Sequence, residues 1–211
     1  MPSGSYLADV LERMRREPPA QWLLAGLRRL GLSIQPFYLF EEALPTGEPP
    51  AVDSLLQSTV VRQLGPEDMT NVAAIARRGL PAEFFLARLH SGNGCLGLFV
   101  DGQLAAFSWY DLRECNYEGW RFALHEDEAY LFDAFTLAPW RGKGVAPYLR
   151  YRVYQTLAQA GRTKCYSVTI RTNRPAIRFK QKLGARRVVR GWIVTLFNRW
   201  RFGSRPPERG S

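Results

Sequence analysis

The segment TLAPWRGKGVAP, residues Thr136 to Pro147, gives the strongest indication of how this chain folds. An apolar run from Tyr130 to Leu137 leads into it, and apolar residues recur every four positions from Val145 to Leu157. The pattern predicts a strand, a glycine-rich turn and a helix. Because the first N–H groups of a helix have no partner within it, such a turn favours binding of a phosphate or pyrophosphate.

The turn itself, Arg141-Gly142-Lys143-Gly144, narrows the kind of phosphate site. It is not a P-loop, because Gly144 is followed by Val145 instead of Lys and Ser or Thr, and it also fails the GxGxxG dinucleotide pattern. Its two glycines let the backbone come close to a ligand, and its two basic side chains add positive charge there. These features predict a site for an anionic ligand that is neither a P-loop nor a GxGxxG dinucleotide-binding turn.

A second motif follows about thirty residues later. The run from Cys165 to Ile170 predicts a short strand, and Thr172 or Asn173 is a helix cap. Pro175 suits the first turn of the helix, and Gly184 suits its end. The whole segment reads N-x-x-A-I-x-F-x-x-K-L-G-A from Asn173 to Ala185.

Together, R-G-x-G-x-A at residues 141–146 and the segment from Asn173 to Ala185 resemble two motifs of the GNAT acetyltransferase superfamily, in the family's order. The resemblance covers roughly residues 58–202. It implies an α/β fold with a mixed, splayed central sheet flanked by helices, and acyl-CoA lying in the cleft as co-substrate. It also implies that the cofactor contacts Phe135, Thr136, Leu137, Arg141, Gly142, Lys143, Gly144, Val145, Ala146, Asn173, Ala176 and Phe179.

The general acid and base are less well marked. The family's frequent Tyr, which protonates the departing thiolate, aligns here with Lys180, which is either an acid or a solvated helix lysine. Tyr148, Tyr151 and Tyr166 are alternatives for the acid. For the base or acceptor-binding group we expect Asp133 or Glu128 first and His125 next. An exposed acidic turn around Glu128, or an ion pair at Asp133, would explain these carboxylates without catalysis.

The implied activity is transfer of an acyl group, most simply acetyl, from CoA to a primary amine by direct attack. The amine belongs to a small molecule or to a polymer. Two alternatives stay open: a long-chain N-acyl amino acid synthase-like enzyme, and a GNAT-like module that binds acyl-CoA or an anionic partner without turnover.

Further strands are predicted on both sides of the two motifs. Gly94–Val100 and Gln103–Tyr110 flank Asp101-Gly102, which is the signal of a hairpin. Near the end of the chain, residues 187–189 and 192–197 predict a closing pair of strands.

The charges of this 211-residue chain are unevenly distributed. Its net charge is +10, and residues 138–211 hold 18 of the 29 basic residues but only one of the 19 acidic ones. A cationic half suits CoA, and the aromatic and basic end also suggests peripheral contact with an anionic membrane or polymer; nucleic acid is a weaker candidate. The three scattered cysteines and two histidines make no zinc pattern, so we expect no metal.

Residues outside the resemblance divide into three segments. Residues 1–45 predict two short amphipathic helices and an edge strand at Ser33–Glu42, with Pro36 excluding a central position. This N-terminal extension is a candidate homodimer contact. Residues 46–57 read as a linker and residues 203–211 as a basic flexible tail. A secretory signal pattern is absent from residues 1–20, which favours a cytoplasmic protein.

Overall fold

The computed structural model describes residues 31–44, 59–76, 79–197 and 199–207. The two predicted N-terminal helices, the linker at 46–57 and the last four residues of the predicted tail lie outside these ranges. No helix within the ranges combines the length and apolar content needed to cross a membrane.

Ten strands and four α-helices make up the described part of the chain. The strands are β1 Ser33–Ala43, β2 Thr59–Gln63, β3 Gly94–Val100, β4 Gln103–Asp111, β5 Glu114–Tyr117, β6 Trp120–Ala123, β7 Glu128–Thr136, β8 Lys164–Ile170, β9 Arg186–Leu196 and β10 Trp200–Gly203. The helices are α1 Met69–Ala76, α2 Ala82–His90, α3 Val145–Gln159 and α4 Arg174–Lys182, with 3-10 turns at Pro66–Asp68 and Ala138–Trp140.

Eight strands form one mixed sheet in the order β10-β9-β1-β8-β7-β4-β3-β2, and β5 and β6 form a separate hairpin. Helix α3 covers one face of the sheet, where Leu149, Val153 and Leu157 pack against β3, β4 and β7. Helices α1 and α2 cover the other face, where Phe85 packs near Trp109. The hairpin covers β1 and β8 on that second face.

The predicted hairpin between β3 and β4 is confirmed. Asp101 and Gly102 both have positive φ, at 49° and 77°, and Val100 pairs with Gln103 across the turn. Two consecutive positive φ values define the mirror-image turn that matches the twist of antiparallel strands, and this turn favours Asp-Gly.

The prediction that β1 is an edge strand is wrong. β1 lies inside the sheet and pairs antiparallel with β8 on one side and β9 on the other. Pro36 is tolerated because its pairing with β8 starts only at Phe37, and the Pro36 carbonyl accepts from the Arg171 N–H just past the end of β8. A residue's N and C=O point to the same side of a strand, so the missing N–H of proline falls where β8 has already ended.

The prediction of two closing strands around Arg190-Gly191 is also wrong, because β9 runs unbroken from Arg186 to Leu196. Gly191 leaves room for a neighbour, since a Cβ there would lie 2.3 Å from the Phe37 ring. The partner of β9 at the sheet edge is β10, and the Ser204 N–H donates to the Trp192 carbonyl, so the predicted flexible tail is paired at its start.

The internal position of β1 makes a testable prediction about stability. Phe37 is fully buried and its ring centroid lies 5.0 Å from that of Trp120, so Phe37→Ala should lower the free energy of unfolding by about 3–5 kcal/mol. Ile34→Ala on the same strand is the control, because Ile34 is 45% exposed and should cost less than about 1 kcal/mol. Equal, small losses in urea unfolding would refute the internal placement.

Candidate active site

The parallel pair of strands, β7 and β8, separates halfway along. Pairing runs from Glu128 and Lys164 to Leu131 and Ser167. Beyond these residues β7 follows β4 and β8 follows β1. The strands enclose a cavity of about 440 Å³, which residues of α3 and α4 also line. Within the described residues no strand lies beside the edge of β7 that faces the cavity, so this backbone edge is available to a ligand.

The glycine turn leads directly into helix α3. Gly142 and Gly144 have φ values of 80° and 77°, which L side chains adopt only with strain, and this explains why both are glycines. Gly144 caps the helix without a side-chain hydrogen bond, so no side chain among the described residues caps the N–H groups of Val145 and Ala146 at the helix start. Ala146 lines the cavity, so this positive helix end belongs to the cleft.

The two basic residues of the turn contact the strand and loop before it. The Arg141 Nε donates to the Thr136 carbonyl at 3.0 Å, and its guanidinium lies 5.6 Å from the Phe135 ring centroid. The Lys143 Nζ lies 4.9 Å from the Trp140 ring centroid. Arg141 therefore ties the turn to the end of β7, where the cavity opens.

The structure brings together eight of the predicted site residues as lining of one cavity: Asp133, Phe135, Thr136, Ala146, Asn173, Ala176, Phe179 and Lys180. Leu137 is not among them, and its N–H already donates to the Ala105 carbonyl at 2.9 Å. Arg141, Gly142, Lys143, Gly144 and Val145 form the adjoining turn and helix start. Asn173 also caps α4, as predicted, by accepting from the Ala176 N–H.

Glu128 lies outside the cleft, which corrects its place among the candidate bases. It is at the start of β7, five residues before Asp133, and this spacing corresponds to about 16 Å of extended strand. Its buried carboxylate accepts from the Tyr166 hydroxyl at 3.0 Å and from the His125 N–H at 3.1 Å, and it pairs with Lys164 at 3.2 Å. These contacts fix the closed end of the β7–β8 pair.

Asp133 lies in the cavity wall at a bulge of β7. Its φ is 48°, and the β4–β7 register shifts beside it, opposite Ser108. Its Oδ2 pairs with the Arg88 guanidinium at 2.5 Å, and this guanidinium lies 5.3 Å from the ring centroids of both Trp109 and Phe132. An arginine that lies between aromatic rings thus holds the carboxylate in the wall of the cavity.

Lys180 is buried rather than solvated, although α4 is otherwise a polar helix. Its ammonium donates to the Val168 carbonyl at 3.3 Å and lies 5.1 Å from the Phe40 ring centroid. Burial lowers the pKa of Lys180 to about 7; Glu42 opposes this shift, whereas Arg150 adds to it. A lysine with such a pKa exchanges a proton near neutral pH.

A buried charge network stands behind Lys180. Glu42, on β1, accepts from the hydroxyls of Tyr154 and Ser167 and lies 3.7 Å from the Arg150 guanidinium. Burial acts to raise the pKa of the Glu42 carboxyl, but Arg150, Lys180 and the two hydroxyls outweigh it and hold the pKa below its usual value. Glu42 is therefore a buried anion beside two buried basic side chains, Arg150 and Lys180. Both of these basic side chains line the cavity.

The sequence did not point to several other residues at the site, among them Glu42, Arg150, Ser108 and Tyr117. Glu42 and Arg150 lie in segments that read as an edge strand and an amphipathic helix, and their pairing depends on where β1 enters the sheet. Ser108 and Tyr117 line the cavity from β4 and β5. The one signal available was the charged pair Glu41-Glu42 at the end of an apolar run, which is unusual for a buried strand.

A splayed mixed sheet with a glycine turn and helix start beside the opening defines an acetyltransferase-type α/β fold. The family model described as "Acetyltransferase (GNAT) family" matches residues 62–185, and the chain therefore belongs to the GNAT acetyltransferase family. No curated protein matches the chain.

Solved structures share the fold at low sequence identity. A GNAT-family acetyltransferase from Colwellia psychrerythraea has a TM-score of 0.58 at 15% identity, over 80% of this chain and 59% of its own. A tandem GNAT protein of the clavulanic acid biosynthesis pathway gives 0.58 at 16%, over 91% and 61%. The aminoglycoside N-acetyltransferase AAC(6')-Iy, solved with CoA, gives 0.52 at 20%, over 63% and 92%. The chain thus spans under two thirds of the first two proteins.

Proposed function

We propose that the protein transfers an acetyl group from acetyl-CoA to a primary amine. The observation that carries this proposal is the separation of β7 from β8 beyond Leu131 and Ser167, which opens a cavity between the start of α3 and Lys180. The CoA complex of the aminoglycoside N-acetyltransferase, on the same fold, supports CoA as the co-substrate.

The cofactor would lie across the cavity from the glycine turn to α4. The N–H groups at the start of α3 suit the pyrophosphate, and the exposed Arg141 and Lys143 add charge there. The open edge of β7 offers N–H and C=O groups to the pantetheine amides, in the way a peptide adds to a sheet edge. Leu137 takes no part through its N–H, which is already bonded to β4.

The chemistry needs one bond made, one broken and one proton relocated. The amine nitrogen attacks the thioester carbonyl carbon, the C–S bond breaks, and the products are an amide and the CoA thiol. Asp133, in the cavity wall, would orient the amine and receive its proton. Lys180 would give its proton to the departing thiolate, and most of the acceleration would come from positioning and electrostatics.

Glu42 would act as a positioning residue for Lys180. Since Glu42 raises the pKa of Lys180, Glu42→Gln should lower it further and move the falling limb of the kcat profile to lower pH. The sign follows because only protonated Lys180 can act as the acid. Rates at a series of pH values test this, with Glu41→Gln as the control, because Glu41 pairs with the exposed Arg186 instead.

Two results would contradict that role. If the falling limb of the kcat profile does not move in a folded Glu42→Gln protein, Glu42 has a structural role only. If the falling limb also shifts in Glu42→Asp, which keeps the negative charge, then the loss of that charge does not cause the shift. Acetyl-CoA binding by each variant establishes that it is folded.

Release of free CoA thiol tests the proposed function itself. Acetyl-CoA is supplied with a panel of primary amines that includes an aminoglycoside, an amino acid and a peptide, and thiol appearance is followed with a chromogenic disulfide. Amine-dependent thiol release is the expected result. Tight acetyl-CoA binding with no release for any amine would favour the binding module, and release from long-chain acyl-CoA alone would favour the long-chain synthase.

A further inference from the structure

One face of the sheet edge is apolar and uncovered by described residues. In antiparallel register Ile34 pairs with Val194 on β9, Trp200 with Leu196 and Phe202 with Val194. Directly opposed residues share a face, as do alternate residues along one strand, and Trp192 therefore joins them. This edge face consists of Ile34, Trp192, Val194, Leu196, Trp200 and Phe202.

The edge face exposes large side chains that proteins usually bury. Ile34, Trp192, Trp200 and Phe202 are 45%, 46%, 57% and 53% exposed. Farther along β1, the same face buries Phe40 beside Lys180 of α4, so the helices cover it only in part. A contiguous apolar patch of this kind marks an interaction surface rather than scattered exposure.

Arginine side chains border the edge face. The Arg171 and Arg187 guanidiniums lie 5.5 Å and 5.1 Å from the Tyr38 ring centroid, and Arg199 lies 5.9 Å from that of Trp200. Arg190 pairs with Tyr38 across β1 and β9. Residues 138–207 contain no Asp or Glu, although Arg186 at the start of β9 pairs with Glu41 of β1.

We propose that the edge face binds the surface of an anionic phospholipid membrane. Half-exposed Trp and Phe side chains suit the headgroup boundary, where an aromatic ring is partly in contact with apolar chains. The surrounding arginines attract anionic headgroups. A second copy of the chain is a poor occupant, because two such cationic faces repel each other. The aliphatic residues of the face also suit lipid better than the stacked bases of a single-stranded nucleic acid.

Vesicle flotation with the full chain tests this proposal. The vesicles contain either phosphatidylcholine alone or equal amounts of phosphatidylcholine and phosphatidylglycerol. The expected result is binding to the anionic vesicles only, weakened by salt, and reduced at least about tenfold in Trp192→Ser/Trp200→Ser. Val60→Ser is the apolar control, since Val60 is 55% exposed on β2 at the other edge of the sheet.

Two charge-reversal variants distinguish binding through the edge face from a general attraction of the cationic protein to anionic lipid. Arg190→Glu and Arg121→Glu lower the net charge equally, but only Arg190 borders the edge face, and only Arg190→Glu should weaken vesicle binding. Circular dichroism and thermal unfolding establish that each variant is folded.

Four outcomes would overturn the proposal. These are no binding to anionic vesicles, equal loss in both arginine variants, tighter binding to a single-stranded oligonucleotide than to vesicles, and self-association that disappears in the tryptophan double variant. None of these results depends on catalysis or on CoA.

Discussion

Lys180→Met is expected to lose about a hundredfold in kcat while its KM for acetyl-CoA changes by less than about threefold. The ammonium lines the cavity, is buried, and has its pKa lowered to about 7, mainly by burial. A proton donor with this pKa is half-charged near neutral pH, so it is matched to a thiolate that forms only in the transition state. Steady-state kinetics with a good amine acceptor, at several pH values, give both constants.

Lys182→Met is the matched control, because Lys182 is exposed on the same helix. Lys180→Met removes one of the two basic neighbours of the buried Glu42 carboxylate and leaves Arg150 as the other, so thermal unfolding is measured beside the kinetics to establish that the variant is folded. A variant that folds normally and keeps kcat within about threefold would remove Lys180 as the acid.

Gly144→Glu is expected to weaken acetyl-CoA binding by at least about a hundredfold. The substitution places a carboxylate at the first turn of α3, where the pyrophosphate is proposed to lie, and a side chain where only the glycine backbone stood. Gly144 has a φ of 77°, so the change also strains the turn. Calorimetric titration of acetyl-CoA measures the loss.

Gly161→Glu controls for both the strain and the charge. Gly161 also has a φ of 77°, lies just past the end of α3, and has open space around its missing Cβ. The Gly161→Glu protein should bind acetyl-CoA as tightly as the wild type does. Equal losses in the two variants would mean that the strained turn, and not the position of the charge, causes the effect.

Local signals predicted much of the fold. The Asp101-Gly102 hairpin, the Asn173 cap and the glycine turn before α3 all depend on residues within a few positions of one another. These features need φ values or capping groups that few residue types provide, so the residue types alone indicate where the features lie. Two such motifs in family order were enough to predict the splayed sheet.

The errors concern contacts between distant segments. The position of β1 depends on pairing with β8 and β9, more than a hundred residues away, and Pro36 gave a misleading local signal. The same distance hid Glu42, whose partners lie on α3 and β8. Burial of Lys180 was missed because α4 reads as a polar helix, and its depth depends on β1 beneath it.

The family-model match starts at residue 62, yet β1 supplies Glu42 from outside it. Strand β1, which belongs to the segment predicted as an extension, therefore forms part of the sheet and contributes Glu42 beside the site. A role of residues 1–45 in dimerisation stays a prediction.

Calorimetric titration of acetyl-CoA into the wild-type protein determines whether the cleft between β7 and β8 holds acyl-CoA. We expect one site per chain with a dissociation constant in the micromolar range, which corresponds to a binding free energy on the order of −8 kcal/mol. No heat of binding with acetyl-CoA or with any longer acyl-CoA would contradict it.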